Sequence, residues 1–387
     1  MTTLKGNWNY PTSVKFGVGR ISELADACRS LGMQRPLLVT DTGLAALPMV
    51  RNALSSNQAA GLPTGVFSDL RPNPVGANVE AGVSAYRQGG HDGVIAFGGG
   101  SALDVGKAIA LMVGQDRPLW DFEDVGDYWL RVKTEGIAPV VAVPTTSGTG
   151  SEVGRASVVT QEATHTKKII FHPRMQPRIV IADPALTAGL PPHITAATGM
   201  DALAHCLEAL CAPGYHPLAD GIAVEGLRLI KEWLPVAYHD GANLEARSHM
   251  MAAAAMGATA FQKGLGAIHA LSHPVGAIYD SHHGLTNAVF TPYVLAFNKL
   301  AIEDRMKRLA AYLNLPRPSF KAVLNWTLAL REELKIPHTA AELGVEKSRL
   351  NELSKMAAVD PTAGGNPVPA GVKEMKKMYT KALAGKV

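Results

Sequence analysis

The sequence predicts an α/β N-terminal domain built on a parallel sheet, residues 1–185, followed by an all-α C-terminal domain, residues 186–387. Three observations predict this. The 387 residues exceed what one hydrophobic core usually serves. Short, continuous apolar runs alternate with helical stretches in the first half, the pattern of strands covered on both faces. After Asp183-Pro184 no convincing strand follows, and Ala-, Leu- and Met-rich helical patterns take over.

The first apolar run is Pro36 to Thr40, closed by Asp41. The second, Asp92 to Phe97, runs into three glycines, and the third, Pro139 to Val143, runs into Pro144-Thr145-Thr146. The fourth is Arg178 to Asp183. Helical stretches lie between the early ones, at Ile21 to Leu31 and Asn78 to Gln88. This order predicts a Rossmann-like sheet. Leu186 to Thr195, with Gly189 and Pro191-Pro192, reads as a linker. Helices are expected at Ala196 to Ala212, Ala219 to Leu234, Leu244 to Phe261, Ala301 to Tyr312 and Phe320 to Lys335. Pro361 to Pro369 reads as one loop before a last amphipathic helix.

Composition narrows the function. Apolar residues make up 47% and charged residues 18%, an ordinary globular balance. The net charge is +4, and no basic run is interleaved with aromatics, which argues against a nucleic-acid partner. Cys28, Cys206 and Cys211 form no CxxC pair and read as free thiols in a reducing compartment. The N-terminus, MTTLKGNWNYP, has no apolar core for a signal peptide, and Met250 to Phe261 is too short to span a bilayer. A cytoplasmic protein with no membrane partner is expected.

Two loops invite a nucleotide. GGGSALDVGKA begins at Gly98, after a buried run and before a helical one. Glycines there let the backbone approach a ligand, and the helix turns its free N–H groups toward an anion such as pyrophosphate. The pattern is neither GxGxxG nor GxxxxGK[ST], and a glycine triplet is equally a tight turn; its position favours the nucleotide. PTTSGTGSE, from Pro144, also follows a strand, and its hydroxyls suit phosphate, ribose or base edges. Asp41 can accept from a ribose 2′-hydroxyl and would repel a 2′-phosphate, favouring NAD over NADP; it is equally suited to cap a helix.

A second constellation suits a metal. Asp201 and His205 are four residues apart in a helical pattern and share one face. Four of the thirteen histidines then crowd one short segment, at 269, 273, 282 and 283. Such a cluster in a mostly apolar stretch is costly to bury without partners. Imidazoles with one carboxylate suit Fe2+, Zn2+ or similar ions.

Together these motifs resemble the iron-containing (group III) alcohol dehydrogenase family. The matching segments are LLVTD ending at Asp41, RPNP around Asn73, GGGSALDVGKA from Gly98, PTTSGTGSEV from Pro144, ADPALT from Ala182, GMDALAHCLEA from Gly199, and HALSHPVGAIYDSHHG from His269. The resemblance implies that Asp201, His205, His269 and His283 are metal ligands, with His283 rather than His282 because it directly precedes Gly284. It implies a proton-relaying role for His273. It implies cofactor contacts at Asp41, Asn73, Gly99, Gly100, Ser101, Asp104, Thr145, Thr146, Thr149 and Lys168, the last in a segment variable in length. It also implies at least a homodimer.

The resemblance further implies Lewis-acid assistance to the substrate oxygen while hydride passes between a small primary alcohol and the nicotinamide. Lys263, shortly before His269, and Arg155, after GTGSEV, offer cations for an anionic tail, as in 4-hydroxybutyrate and succinic semialdehyde; both can equally pair with nearby acids. Glycerol dehydrogenases and maleylacetate reductases depart from the four-ligand pattern, which is complete here. A metal- and NAD-dependent lyase of the dehydroquinate synthase type needs a basic cluster that the C-terminal half lacks. A non-enzymatic binding role predicts no metal.

Overall fold

The computed structural model describes residues 12–387. The segment weighed above as a signal peptide, residues 1–11, lies outside the described residues.

Residues 12–146 and 150–188 form one compact unit. Its strands are β1 (Ser13–Phe16), β2 (Leu37–Val39), β3 (Gly65–Phe67), β4 (Val94–Gly98), β5 (Val140–Pro144), β6 (Ala156–Gln161), β7 (Thr166–Phe171) and β8 (Ile179–Ala182). Six of them make a sheet in the order β1-β8-β5-β4-β2-β3, with every recorded pairing parallel. All residues of β2, β4, β5 and β8 are buried, as their unbroken apolar sequences require. The two strands that sequence alone does not reveal, β1 and β3, are the sheet's edges. They are short and partly exposed, so no continuous apolar run marks them. The antiparallel hairpin β6–β7 is equally hidden, because half of its residues are polar.

Five helices join these strands: α1 (Leu24–Ser30), α2 (Thr42–Ala45), α3 (Pro48–Ala59), α4 (Gly76–Gln88) and α5 (Gly100–Met112). Leu24, Cys28, Met33 and Val50 pack onto Leu38, Ile95, Phe97, Val141 and Ile181. Gly106 lets α5 lie close on β4: a Cβ there would stand 2.7 Å from that of Ala96. The chain leaves β2 toward β3 and leaves β4 toward β5, in opposite directions across the sheet. The carboxyl ends of β2 and β4 therefore flank a topological switch point, where ligands of such sheets bind.

Residues 147–149 and 189–387 form the second unit. It contains α6 (Pro192–Cys211), α7 (Pro217–His239), α8 (Leu244–Ala260), α9 (Ala267–Tyr279), α10 (His283–Tyr312), α11 (Phe320–Glu333), α12 (Leu350–Ala358) and α13 (Val372–Ala384), and no strand among the described residues. Its core includes Leu203, Leu207, Leu227, Ile230, Met250, Leu271, Phe290, Met306 and Tyr379. Helix α6 starts inside the stretch expected to be linker, since proline is well tolerated at a first helical position. Helix α10 runs unbroken for 30 residues through Pro292, although sequence patterning shows only its last part. Tertiary packing carries the helix past a residue that usually breaks one. Among the described residues no helix is long and apolar enough to cross a membrane.

Candidate functional site

In the helical unit, α6 supplies Asp201, His205 and Glu208, whose spacing of four and three puts them on one face. Helix α9 supplies His269 and His273 one turn apart, and His283 opens α10. One ligand atom each from Asp201, His205 and His269 lie within 4.8 Å of one another, and all three residues are buried. His283 Nε2 stands 3.6 Å from Asp201 Oδ1. The Asn287 amide lies among these atoms: Nδ2 donates to Asp201 Oδ1 at 2.8 Å and is 3.1 Å from Nε2 of both His269 and His283. His282 caps α10 instead, its Nδ1 accepting from Leu285 N at 3.4 Å.

Electrostatics suit the cluster to a cation. Burial pushes the His205 imidazole down to about 4, so it is neutral at physiological pH and keeps a lone pair for a ligand. Burial opposes charge on His269 too, but Glu208, with Asp201 and Asp360, outweighs it and raises the ring above its ordinary value. One carboxylate and three imidazoles, converging in an apolar helical core, are a donor set for Fe2+ or Zn2+.

Three residues here were missed by sequence reasoning. Glu208 Oε2 pairs with His269 Nδ1 at 2.5 Å, Asp360 Oδ2 pairs with His273 Nδ1 at 2.8 Å, and Asn287 bridges the ligand atoms as above. Glu208 carried a usable signal, three residues beyond His205 on the same helical face. Asp360 lies 87 residues from its partner, and no sequence spacing reveals it. Asp360 is also bound by Thr362 N and Oγ1, at 2.9 and 2.6 Å. Burial raises its carboxyl, yet His273 and Thr362 hold it below the usual range.

In the α/β unit, Gly98 and Pro144 pair in register, so the two glycine-containing loops leave adjacent strands side by side. Thr145 N donates to Gly98 O at 3.0 Å. Gly98 has φ +148, and a Cβ there would meet that of Ala102 at 2.7 Å, so glycine is required. Gly99 is the N-cap of α5, with Gly100 and Ser101 opening the helix; a Cβ on Gly99 would meet Thr146 Cγ2 at 3.3 Å. Thr149 falls in the short stretch 147–149 that belongs to the helical unit. Asp41 caps α2, its Oδ1 accepting from Leu44 N at 2.9 Å. Asn73 sits in the left-handed region, φ 51, with Lys167 Nζ 2.9 Å from its Oδ1.

Four of the expected site residues have partners within the protein. The Asp104 carboxylate accepts from Ser151 Oγ at 2.5 Å and Val158 N at 2.9 Å, bracing the loop after β5. Lys168 pairs with Glu123 at 2.8 Å, and Lys167 reaches Asn73 instead, because neighbouring strand residues point to opposite faces. The buried Lys263 ammonium pairs with Asp220 at 2.5 Å beside Leu210 O, the pairing with a nearby acid that the sequence left open. With Arg305, which donates to Leu210, Cys211 and Ala212 carbonyls, it neutralises the C-terminal end of α6. Arg155 stacks over Phe171, 5.5 Å from the ring centroid, and faces Asp124.

Glu152, in the same loop as Ser151, is fully buried, and burial pushes its carboxyl up to about 7 from 4.5. Between those values the folded chain holds a proton that the unfolded chain releases, so this group's contribution to stability falls as pH rises through the interval. Glu152→Gln is expected to stabilise the protein at about pH 8 by on the order of 1–3 kcal/mol, and to change little near pH 5. Thermal melts at the two pH values check this; equal shifts at both would refute it.

Comparison with known proteins decides the family. Residues 11–184 match the iron-containing alcohol dehydrogenase family, and residues 195–383 match the C-terminal domain of the Fe-containing alcohol dehydrogenase family. The chain belongs to the iron-containing alcohol dehydrogenase family. It is an oxidoreductase, similar along its whole length to named dehydrogenases of that family. A 4-hydroxybutyrate dehydrogenase of Cupriavidus necator is 38% identical over 384 residues, covering 97% of this chain and 99% of the relative. The crystal structure of a 1,3-propanediol oxidoreductase superposes with a TM-score of 0.93 at 32% identity, covering 98% of this chain and all of that one. A sulfoacetaldehyde reductase from Bifidobacterium kashiwanohense, solved in complex with NAD+, superposes at 0.88 with 29% identity, covering 98% and 99%.

Proposed function

We propose that this alcohol dehydrogenase transfers a hydride between NAD(H) and a small primary alcohol or aldehyde, with 4-hydroxybutyrate and succinic semialdehyde as the preferred pair. Asp201, His205, His269 and His283 would hold a divalent ion, Fe2+ before Zn2+. The observation that carries this reading is the convergence of Asp201, His205 and His269 within 4.8 Å in a dehydrogenase of this family. The bound ion supplies Lewis acidity to the substrate oxygen. Asp360 holds Nδ1–H of His273, which leaves Nε2 as the atom that takes or returns a proton. Gly99, Gly100, Ser101, Thr145, Thr146 and Thr149 would receive the cofactor with Asn73 and Lys168. Asp41, at the end of β2, supports NAD over NADP. The part of the chain that carries the parallel sheet would then be the dinucleotide domain, and residues 186–387 the metal-binding domain.

The substrate rests on relatives named for anionic compounds, 4-hydroxybutyrate and sulfoacetaldehyde. Steady-state kinetics of Fe2+-reconstituted protein, followed by NADH absorbance, tests it with butanol against 4-hydroxybutyrate. A kcat/KM about tenfold or more higher for the acid is expected, worth about 1.4 kcal/mol. Equal efficiencies would remove the anionic substrate, and absence of NADH with any alcohol would remove the reaction. Lys263→Ala should leave the ratio of the two efficiencies unchanged. It should destabilise the protein by about 1–2 kcal/mol, since the pair it breaks is half open to solvent on the Asp220 side. A cytoplasmic homo-oligomer completes the proposal, supported by three buried free cysteines and the family resemblance. Light scattering that returns a monomer would refute the oligomer.

A further inference from the structure

We propose that Glu208 is a positioning residue for metal binding, fixing the tautomer of His269 so that Nε2 presents its lone pair to the cluster. The proposal rests on the metal site put forward above. Glu208 is 6% exposed, and among the described residues its ion pair is with His269. Both carboxylate oxygens are used on α9. Oε1 accepts from Ile268 N at 2.6 Å, and Oε2 pairs with His269 Nδ1 at 2.5 Å.

A neutral imidazole carries one N–H. An acceptor-only carboxylate beside Nδ1 places that hydrogen on Nδ1 and leaves the lone pair on Nε2. Nε2 is the nitrogen 3.1 Å from Asn287 Nδ2, on the side of Asp201 and His283. The Ile268 N–H is a free donor of the first turn of α9, so Glu208 holds the backbone and the ring of the same turn together. Gly266 keeps that approach open: a Cβ there would stand 3.2 Å from Glu208 Oε1.

This arrangement makes glutamine a discriminating substitution. Its amide has the shape of the carboxylate but offers one acceptor and one donor. If the amide oxygen serves Ile268 N–H, the amide N–H faces Nδ1 and drives the ring hydrogen to Nε2. If the oxygen serves Nδ1–H, a donor faces the Ile268 N–H. A helix cap that acted only on stability would lose some Tm and leave ion affinity alone.

The test uses the full chain, stripped of metal and titrated with Co2+, read by its ligand-field absorption. Wild-type protein is expected to bind one equivalent, and Glu208→Gln to bind about 10- to 100-fold more weakly. Wild-type affinity in Glu208→Gln, while Asp201→Asn loses the ion, overturns the role of Glu208 alone. No stoichiometric uptake by wild type overturns the metal site itself, and this proposal with it. Should Glu208→Gln fail to fold, imidazole ¹H–¹⁵N spectra of apo wild-type protein at alkaline pH decide. The His269 signal, assigned by its loss in His269→Gln, is expected as Nδ1–H; an Nε2–H ring overturns the proposal.

Discussion

Asp201→Asn is expected to fold like wild type and to lose about a thousandfold or more in kcat/KM, with loss of bound metal. Asp201 provides the one carboxylate among the ligand atoms that converge in the helical unit. In a buried, low-dielectric setting an ion's charge is offset chiefly by an anionic partner, and neutral imidazoles do not replace it. Asparagine keeps the volume of a side chain that is only 2% exposed. Its amide oxygen can still accept from Asn287 Nδ2, as Asp201 Oδ1 does at 2.8 Å. The backbone of α6 and its packing should therefore survive. A Lewis acid contributes several kcal/mol to stabilising developing charge, and about 4 kcal/mol corresponds to a thousandfold. Metal analysis after dialysis and NADH kinetics measure the effect, with circular dichroism melts as the control for folding. A variant that retains both the ion and the rate would remove Asp201 from the ligand set.

Gly99→Asp should separate stability from cofactor binding. Gly99 is the N-cap of α5 and has extended backbone angles, φ −77 and ψ −174, that any residue adopts. Aspartate is a favoured N-cap, and its carboxylate would accept from the free N–H groups of the first helical turn. The new Cβ meets only the Thr146 side chain, 3.3 Å from Cγ2 and 3.5 Å from Oγ1, which a small shift relieves. Thermal stability should hold or rise by about 1 kcal/mol. The same carboxylate would occupy and repel the place proposed for a pyrophosphate, which binds helix N-termini through those N–H groups. The KM for NAD+ should rise about 100-fold or more, consistent with losing charge-assisted hydrogen bonds and gaining repulsion. Fluorescence titration with NADH measures it directly. Unchanged NADH affinity in a stable Gly99→Asp protein would place the cofactor elsewhere.

The buried strands β2, β4, β5 and β8 were legible because each is apolar along its whole length and is followed by turn residues. Edge strands β1 and β3 were not, since a three- or four-residue edge needs no continuous apolar sequence. Helices α9 and α10 were obscured by Pro274 and Pro292, which local propensity reads as breaks. Lys263 illustrates the limit for function. A lysine close in sequence to His269 looks available, but its pairing with Asp220, 43 positions earlier, is invisible to spacing.

The sequence by itself determined the two-part architecture, the glycine turn after β4, and the pairing of Asp201 with His205. These rest on short-range periodicity: 3.6 residues per helical turn, two per strand, and the conformational freedom of glycine. Tertiary structure alone decided which acids and amides surround the histidines. It assigned Glu208 to His269, Asp360 to His273 and Asn287 to the ligand atoms, and it gave Asp104, Lys168, Lys263 and Arg155 partners within the protein that no spacing shows. A hydrogen-bond partner is set by distance and direction in space. Two helices far apart in sequence meet at an angle that no local pattern encodes, and only the packed core brings their polar atoms within 3 Å.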